Sequence, residues 1–70
     1  MQDDNTYGLS EIVGTSKVSI DDAIRTAIAA ATKNRRHIRW FEVLETRGHV
    51  VDGQVEHFQV MLKLGYMIED

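Results

Sequence analysis

The chain contains no cysteine, so disulfides and thiolate zinc sites are excluded and a small fold must be held together by other means. No apolar run approaches the ~20 residues of a membrane-spanning helix. Positive charge is also scarce: eight Lys and Arg stand against eleven Asp and Glu, a formal net charge of −3. That balance argues against a general binder of the nucleic-acid backbone, which needs a basic stripe. The opening MQDDNTYG is acidic and polar, unlike a signal peptide. Together these absences predict a soluble, cytoplasmic protein that engages neither nucleic acid nor membrane.

A chain of 70 residues forms one small domain, and at this size only about 60% of the unfolded surface is buried on folding. With disulfides excluded, oligomerisation or a bound ligand is the expected support. There is no internal repeat, low-complexity stretch or linker. Residues 1–6 read as a loose polar tail and 7–70 as a single domain.

LSEIV, 9–13, reads as a first strand, broken by GTS at 14–16. Ile20, Ala23, Ile24, Ala27, Ile28 and Ala31 then recur at the spacing of one helical face. Ser19 stands ahead of them as N-cap with Asp22 three residues on, a capping-box arrangement. Asp21 and Asp22 suit the positive end of the helix dipole; Lys33, Arg35 and Arg36 suit the negative end. The helix should end near Asn34. A second strand is expected from Ile38 to His49, a tight turn at 51–53 around Asp52-Gly53, and a third strand from Val55 to Ile68. In that last strand Phe58, Val60, Leu62, Leu64, Tyr66 and Ile68 alternate with His57, Gln59, Met61, Lys63, Gly65 and Met67. The fold class is therefore α+β, with order β-α-β-β: a three-stranded antiparallel sheet carrying one helix on one face.

One helix covers one sheet face. The even-numbered apolar residues of the third strand belong beneath it, joined by Phe41 and Val43 of the second. Trp40, Glu42 and Leu44 then fall on the opposite face with Gln59, Met61 and Lys63. A tryptophan on a face that its own chain leaves bare calls for a partner subunit, a ligand or both. Indole stacks on flat rings, and a carboxamide sets an acceptor beside a donor, matching a uracil-like ring edge. A flavin or a nucleobase fits that pair.

EIVGTS (11–16), the amphipathic helix, WFEV (40–43), RGHVVDG (47–53) and HFQVMLKLGY (57–66) together resemble the bacterial dodecins over nearly the whole chain. The resemblance implies a small, non-enzymatic flavin-binding protein assembled as a hollow dodecamer of tetrahedral symmetry. It implies that Trp40 stacks on the flavin, with two antiparallel flavins between the tryptophans of two symmetry-related subunits, and that Gln59 bonds the pyrimidine edge. It assigns Arg47 to FMN, although strict alternation puts Arg47 on the helix-side face unless a bulge redirects it. The native flavin is left open among FMN, riboflavin, FAD and lumichrome, and the implied role is storage, buffering and photoprotection. Some bacterial members also bind coenzyme A through basic residues on the helix and at the end of the third strand. At those positions this chain has Ala30 and Met67, with Lys33 and Arg36 nearby.

Other groups receive plainer readings. His37, His49 and His57 lack regular ligand spacing and read as surface or turn residues rather than a metal site. GTS precedes a helix N-terminus, but Asp21 and Asp22 would repel an anion there. KNRRHIR, 33–39, reads as a helix C-terminus with favourable cations. Glu42, Glu45 and Arg47 are candidates for intersubunit ion pairs. No nucleophile has an evident base beside it, and no phosphate-cradling glycine loop occurs. Two other functions remain open on sequence: a purely structural oligomer with Trp40 buried in its interface, and an RNA-binding module using Trp40 as a stacking platform.

Overall fold

The computed structural model describes residues 4–68, so the expectations for residues 1–3 and 69–70 lie outside the described residues. The elements are β1 (Thr6–Ser16), α1 (Ile20–Thr32), β2 (Ile38–Val51) and β3 (Gln54–Ile68), in the expected β-α-β-β order. They form one antiparallel sheet with β3 in the centre, in the order β1-β3-β2.

β1 is longer than its apolar core suggests. Thr6, which composition assigns to the tail, pairs with Ile68, and the GTS segment continues the strand: Gly14 pairs with Val60, Thr15 with Gln59 and Ser16 with Phe58. Small residues there serve close packing rather than a break. A Cβ on residue 14 would lie 2.6 Å from both the Ala23 carbonyl oxygen and the Ala27 Cβ, so the helix seats directly on the β1 backbone. The alanine stripe of α1 and the glycine of β1 are two halves of one contact.

Ser19 caps α1 as expected, its hydroxyl accepting from the Asp22 backbone N–H at 3.0 Å. The reciprocal arm of the box is replaced. The Asp22 carboxylate accepts instead from the Ser16 hydroxyl at 2.7 Å, and Ser16 Oγ accepts from the Val18 N–H at 2.9 Å. One buried hydroxyl thus ties the end of β1 to the first turn of α1, using amides an anion would need. Ser16→Ala is expected to destabilise the fold by about 1–3 kcal/mol, because it strands hydrogen-bonding groups at a partly buried junction. Chemical denaturation at fixed protein concentration measures this; an unchanged midpoint would count against the junction's role.

The core consists of Ala23 and Ala27 from α1 with Val60, Leu62 and Leu64 from β3. Ile12, Ile20, Ile24, Ile28, Ala31 and Ile38 pack around it. The helix lies over β1 and β3. Phe41 and Val43 are indeed on its side of the sheet, opposite Leu64 and Leu62. They are not core residues, however: they stay 47% and 41% exposed because β2 lies beyond the helix's reach. A gap of about 240 Å³ between Phe41 and the Ile24–Ile28 flank marks the shortfall. Tyr66 also leaves the core. It lies across Gly8, with the Arg35 guanidinium 3.9 Å above its ring.

β2 and β3 turn back at Asp52 and Gly53, both at positive φ (51° and 76°), as a two-residue hairpin requires. The hairpin projects past the helix and draws the molecule out to 55 × 20 × 16 Å. Along it Val50, Val51 and Val55 are exposed. Among the described residues no helix is long and apolar enough to cross a membrane.

Candidate functional site

The sheet face turned away from α1 is built in cross-strand rows. β3 contributes Gly65, Lys63, Met61, Gln59 and His57 in turn, and β1 sets Leu9, Glu11, Val13 and Thr15 beside the first four. From β2, Trp40 stands opposite Gly65 and Glu42 opposite Lys63.

Strict alternation then fails at three points of the β2–β3 pairing, at Ile38/Trp40, Val43/Glu45 and His49/Val50. Val43 pairs with Leu62 but Glu45 pairs with Met61, so Leu44 is the extra residue of a β-bulge. One extra residue reverses the facing of everything after it. Glu45 and His49 thereby join the uncovered face, and so does Arg47, which alternation alone assigns to the helix side. Arg47 is the direct cross-strand partner of Gln59. Leu44, expected beside Trp40 and Glu42, is the bulged residue itself.

Glu45, Arg47, Gln59, Met61 and Val13 line a small hollow of about 90 Å³ with an apolar floor and polar walls. Arg47 donates from Nη2 to Glu45 Oε1 at 3.0 Å, an ion pair within the chain. Both side chains are about half exposed, which puts the pair in the range of ~1 kcal/mol or less. It is weak enough to be broken when a ligand offers Arg47 a better acceptor.

Trp40 is set flat on the sheet. A Cβ on residue 65 would collide with the six-membered ring of the indole, so Gly65 is the seat on which the ring lies. Tyr7 contacts it edge-on, with ring centroids 5.1 Å apart and planes at 67°. The indole remains 42% exposed. An aromatic ring anchored on one side and bare on the other is a stacking platform that needs no rearrangement to receive a second flat ring.

Sequence parity puts Trp40 and Gln59 on one face, and the register adds how far apart they stand. Trp40 is opposite Gly65, six residues along β3 from Gln59, or about 20 Å at the rise of an extended strand. The fold therefore brings Arg47 and Gln59 together and leaves Trp40 at the far end of the same face. Within one chain the indole and the Arg47–Gln59 pair are thus two separate spots on one face.

Three further contributors escape a residue-by-residue reading: Gly65, Tyr7 and Glu45. A glycine inside an otherwise regular strand is a usable signal of close approach; the other two need the register. Of the histidines, His37 lies in the α1–β2 connection at φ 63°, whereas His49 and His57 face each other across β2 and β3. Among the described residues no group of three or more His, Asp or Glu is arranged to hold a metal ion.

With this geometry in place, comparison with known proteins is specific. The Dodecin family matches residues 6–69. A dodecin of Thermus thermophilus is 42% identical over 64 residues, spanning 91% of this chain and 93% of the relative. Among solved structures, the dodecin of Streptomyces coelicolor superposes with a TM-score of 0.92 at 45% identity, covering 99% of each chain. That of Streptomyces davaonensis gives a TM-score of 0.92 at 42% identity, covering 96% of this chain and 98% of the other.

Proposed function

The chain belongs to the dodecin family of small flavin-binding proteins, and on that premise we propose that it binds FMN or riboflavin without turning it over, between copies of itself. One observation carries the reading. Arg47 and Gln59 are register partners on the same uncovered face as an indole laid flat on Gly65.

In this proposal Trp40 of one copy stacks on the isoalloxazine, while Gln59 of another donates to and accepts from its pyrimidine edge. Arg47 releases Glu45 and turns to the ligand's anionic or carbonyl oxygens, using the planar fork that suits such acceptors. The ~20 Å between the two half-sites along an extended strand is what makes the arrangement intersubunit. The small core and the exposed Phe41, Val43 and Leu44 on β2 add a reason for assembly, since a lone chain leaves them wet. A closed homo-oligomer, the hollow dodecamer, buries them while bringing half-sites into pairs.

Bound flavin supplies a light-absorbing, electron-accepting ring. Trp40 in van der Waals contact is an electron donor that returns the excited ring to its ground state without reaction, which is the chemical content of storage and photoprotection. Coenzyme A does not fit the corresponding positions of this chain. Ala30 is an exposed helix residue without charge, and Met67 pairs with Tyr7, so neither supplies a cation.

Titrating FMN into flavin-free protein should quench its emission to saturation, and flavin carried through purification should be identifiable by mass once released. Gln59→Ala should weaken FMN by about two- to tenfold, the worth of a hydrogen bond of this kind. Unquenched emission at saturating protein would sink the reading.

A further inference from the structure

One row beyond Arg47 and Gln59 the same face carries an arrangement that flavin binding does not use. His49 and His57 stand directly opposite each other. Their ring centroids are 5.3 Å apart and their planes within 3° of parallel. As β2 passes from His49 to Val50, the partner on β3 moves from His57 to Val55, so Glu56 is the extra residue of another bulge. Alternation would turn Glu56 away from its neighbour. The bulge instead leaves its carboxylate Oε1 3.4 Å from His57 Nδ1.

Two imidazoles projecting side by side from adjacent strands form a bidentate nitrogen donor set. Zn²⁺ binds histidine nitrogen at about 2.0–2.1 Å, so a tetrahedral ion wants its two nitrogens about 3.3 Å apart. The rings stand farther apart than that now. Closing the gap calls for rotation about their terminal torsions, which are broad and soft. A carboxylate near the remote ring nitrogen is the usual outer partner of a metal-ligating histidine, where it favours the tautomer that leaves Nε2 free to ligate. Lys17 lines the hollow beside His57 with Thr15 and Ser16. Its charge opposes a cation, and the Glu56 carboxylate offsets it.

We propose that His49 and His57 form a two-imidazole site for a borderline divalent cation such as Zn²⁺, one per chain. Glu56 is its positioning residue, and water completes the coordination. Nitrogen ligands select Zn²⁺, Cu²⁺ or Ni²⁺ over the hard Mg²⁺ and Ca²⁺. The site shares no residue with the flavin half-sites and stands whether or not those are correct.

Isothermal titration of the full-length, flavin-free assembly with Zn²⁺ tests this. A saturable isotherm at one ion per chain is expected, with no response to Mg²⁺. His49→Gln and His57→Gln should each weaken Zn²⁺ at least tenfold. Glu56→Gln should weaken it about tenfold, the lower end for an outer-shell partner. Glu56→Ala, which leaves no acceptor at Nδ1, should also move the His57 ring nitrogen resonances toward the Nε2–H tautomer, which a merely structural change would not do. Zn²⁺ added to the unmodified protein should shift the ring signals of His49 and His57 and leave those of His37 in place, a readout that needs no variant to fold. Absence of saturable binding overturns the proposal. So does affinity untouched in the His49→Gln/His57→Gln pair, or a shift confined to His37.

Discussion

Trp40→Ala is expected to lower flavin affinity by between about five- and 150-fold, the equivalent of ~1–3 kcal/mol for one lost ring stack, and to abolish quenching in whatever complex still forms. Gly65 carries no side chain, so the indole lies flat against β3 and Tyr7 braces it edge-on. Its open side is then presented rigidly, and little conformational entropy is lost on stacking. Alanine removes the whole platform and leaves the bare strand. The competing view, that Trp40 only seals a subunit interface, predicts a different pair of results: the assembly falls apart, and riboflavin binds no better to the unmodified protein than to the variant. Sedimentation beside a fluorescence titration separates them. Trp40→Leu sharpens the comparison by keeping apolar volume while removing the π surface and the electron donor. It should keep the assembled size and lose the quenching. If instead the leucine variant quenched FMN like the parent, the indole would have no part in the photochemistry.

The sequence makes some of this legible and hides the rest for identifiable reasons. The helix is readable because Ile20 to Ala31 repeat an apolar face, and Ser19 marks its start with a side chain that does accept from Asp22. The hairpin is readable because Asp52-Gly53 tolerates two successive positive φ angles. The even-numbered face of β3 is readable from alternation, and Val60, Leu62 and Leu64 are buried there. Two things are not readable. The bulge at Leu44 carries no glycine or other local mark, yet it moves Arg47 across the sheet to Gln59. Parity also assigns a face without a distance: it groups Trp40 with Gln59 but is silent on the six residues of register between Gly65 and Gln59. Phe41 shows a third limit. Its pattern is that of a core residue, but how far a 13-residue helix extends across a sheet is a property of the packing, and here it stops short of β2.

Gly14→Ala is expected to cost about 1–3 kcal/mol of stability or more, as overpacking of a tight core does, although alanine is the smallest side chain that can be added. The new methyl would stand 2.6 Å from the Ala23 carbonyl oxygen and from the Ala27 methyl, distances that neither backbone nor side chain accepts. A flexible neighbour would swing aside, but Ala27 has nothing to rotate and the Ala23 carbonyl is fixed in the helix. The helix must therefore lift off β1. Lifting loosens its hold on Val60, Leu62 and Leu64, which with the two alanines make up the buried apolar core. Among the described residues no second core compensates, so a small displacement here reaches a large share of the stabilising contacts. Ala27→Gly provides the cross-check. By itself it should destabilise by up to about 1 kcal/mol through helix propensity. Combined with Gly14→Ala it should restore part of the loss, because one of the two collisions is removed. The coupling in such a cycle should be favourable and on the order of 1 kcal/mol. Denaturant midpoints at constant protein concentration would report it, since assembly links stability to concentration. Additive losses in the double variant would mean that the helix does not rest on the β1 backbone at this point.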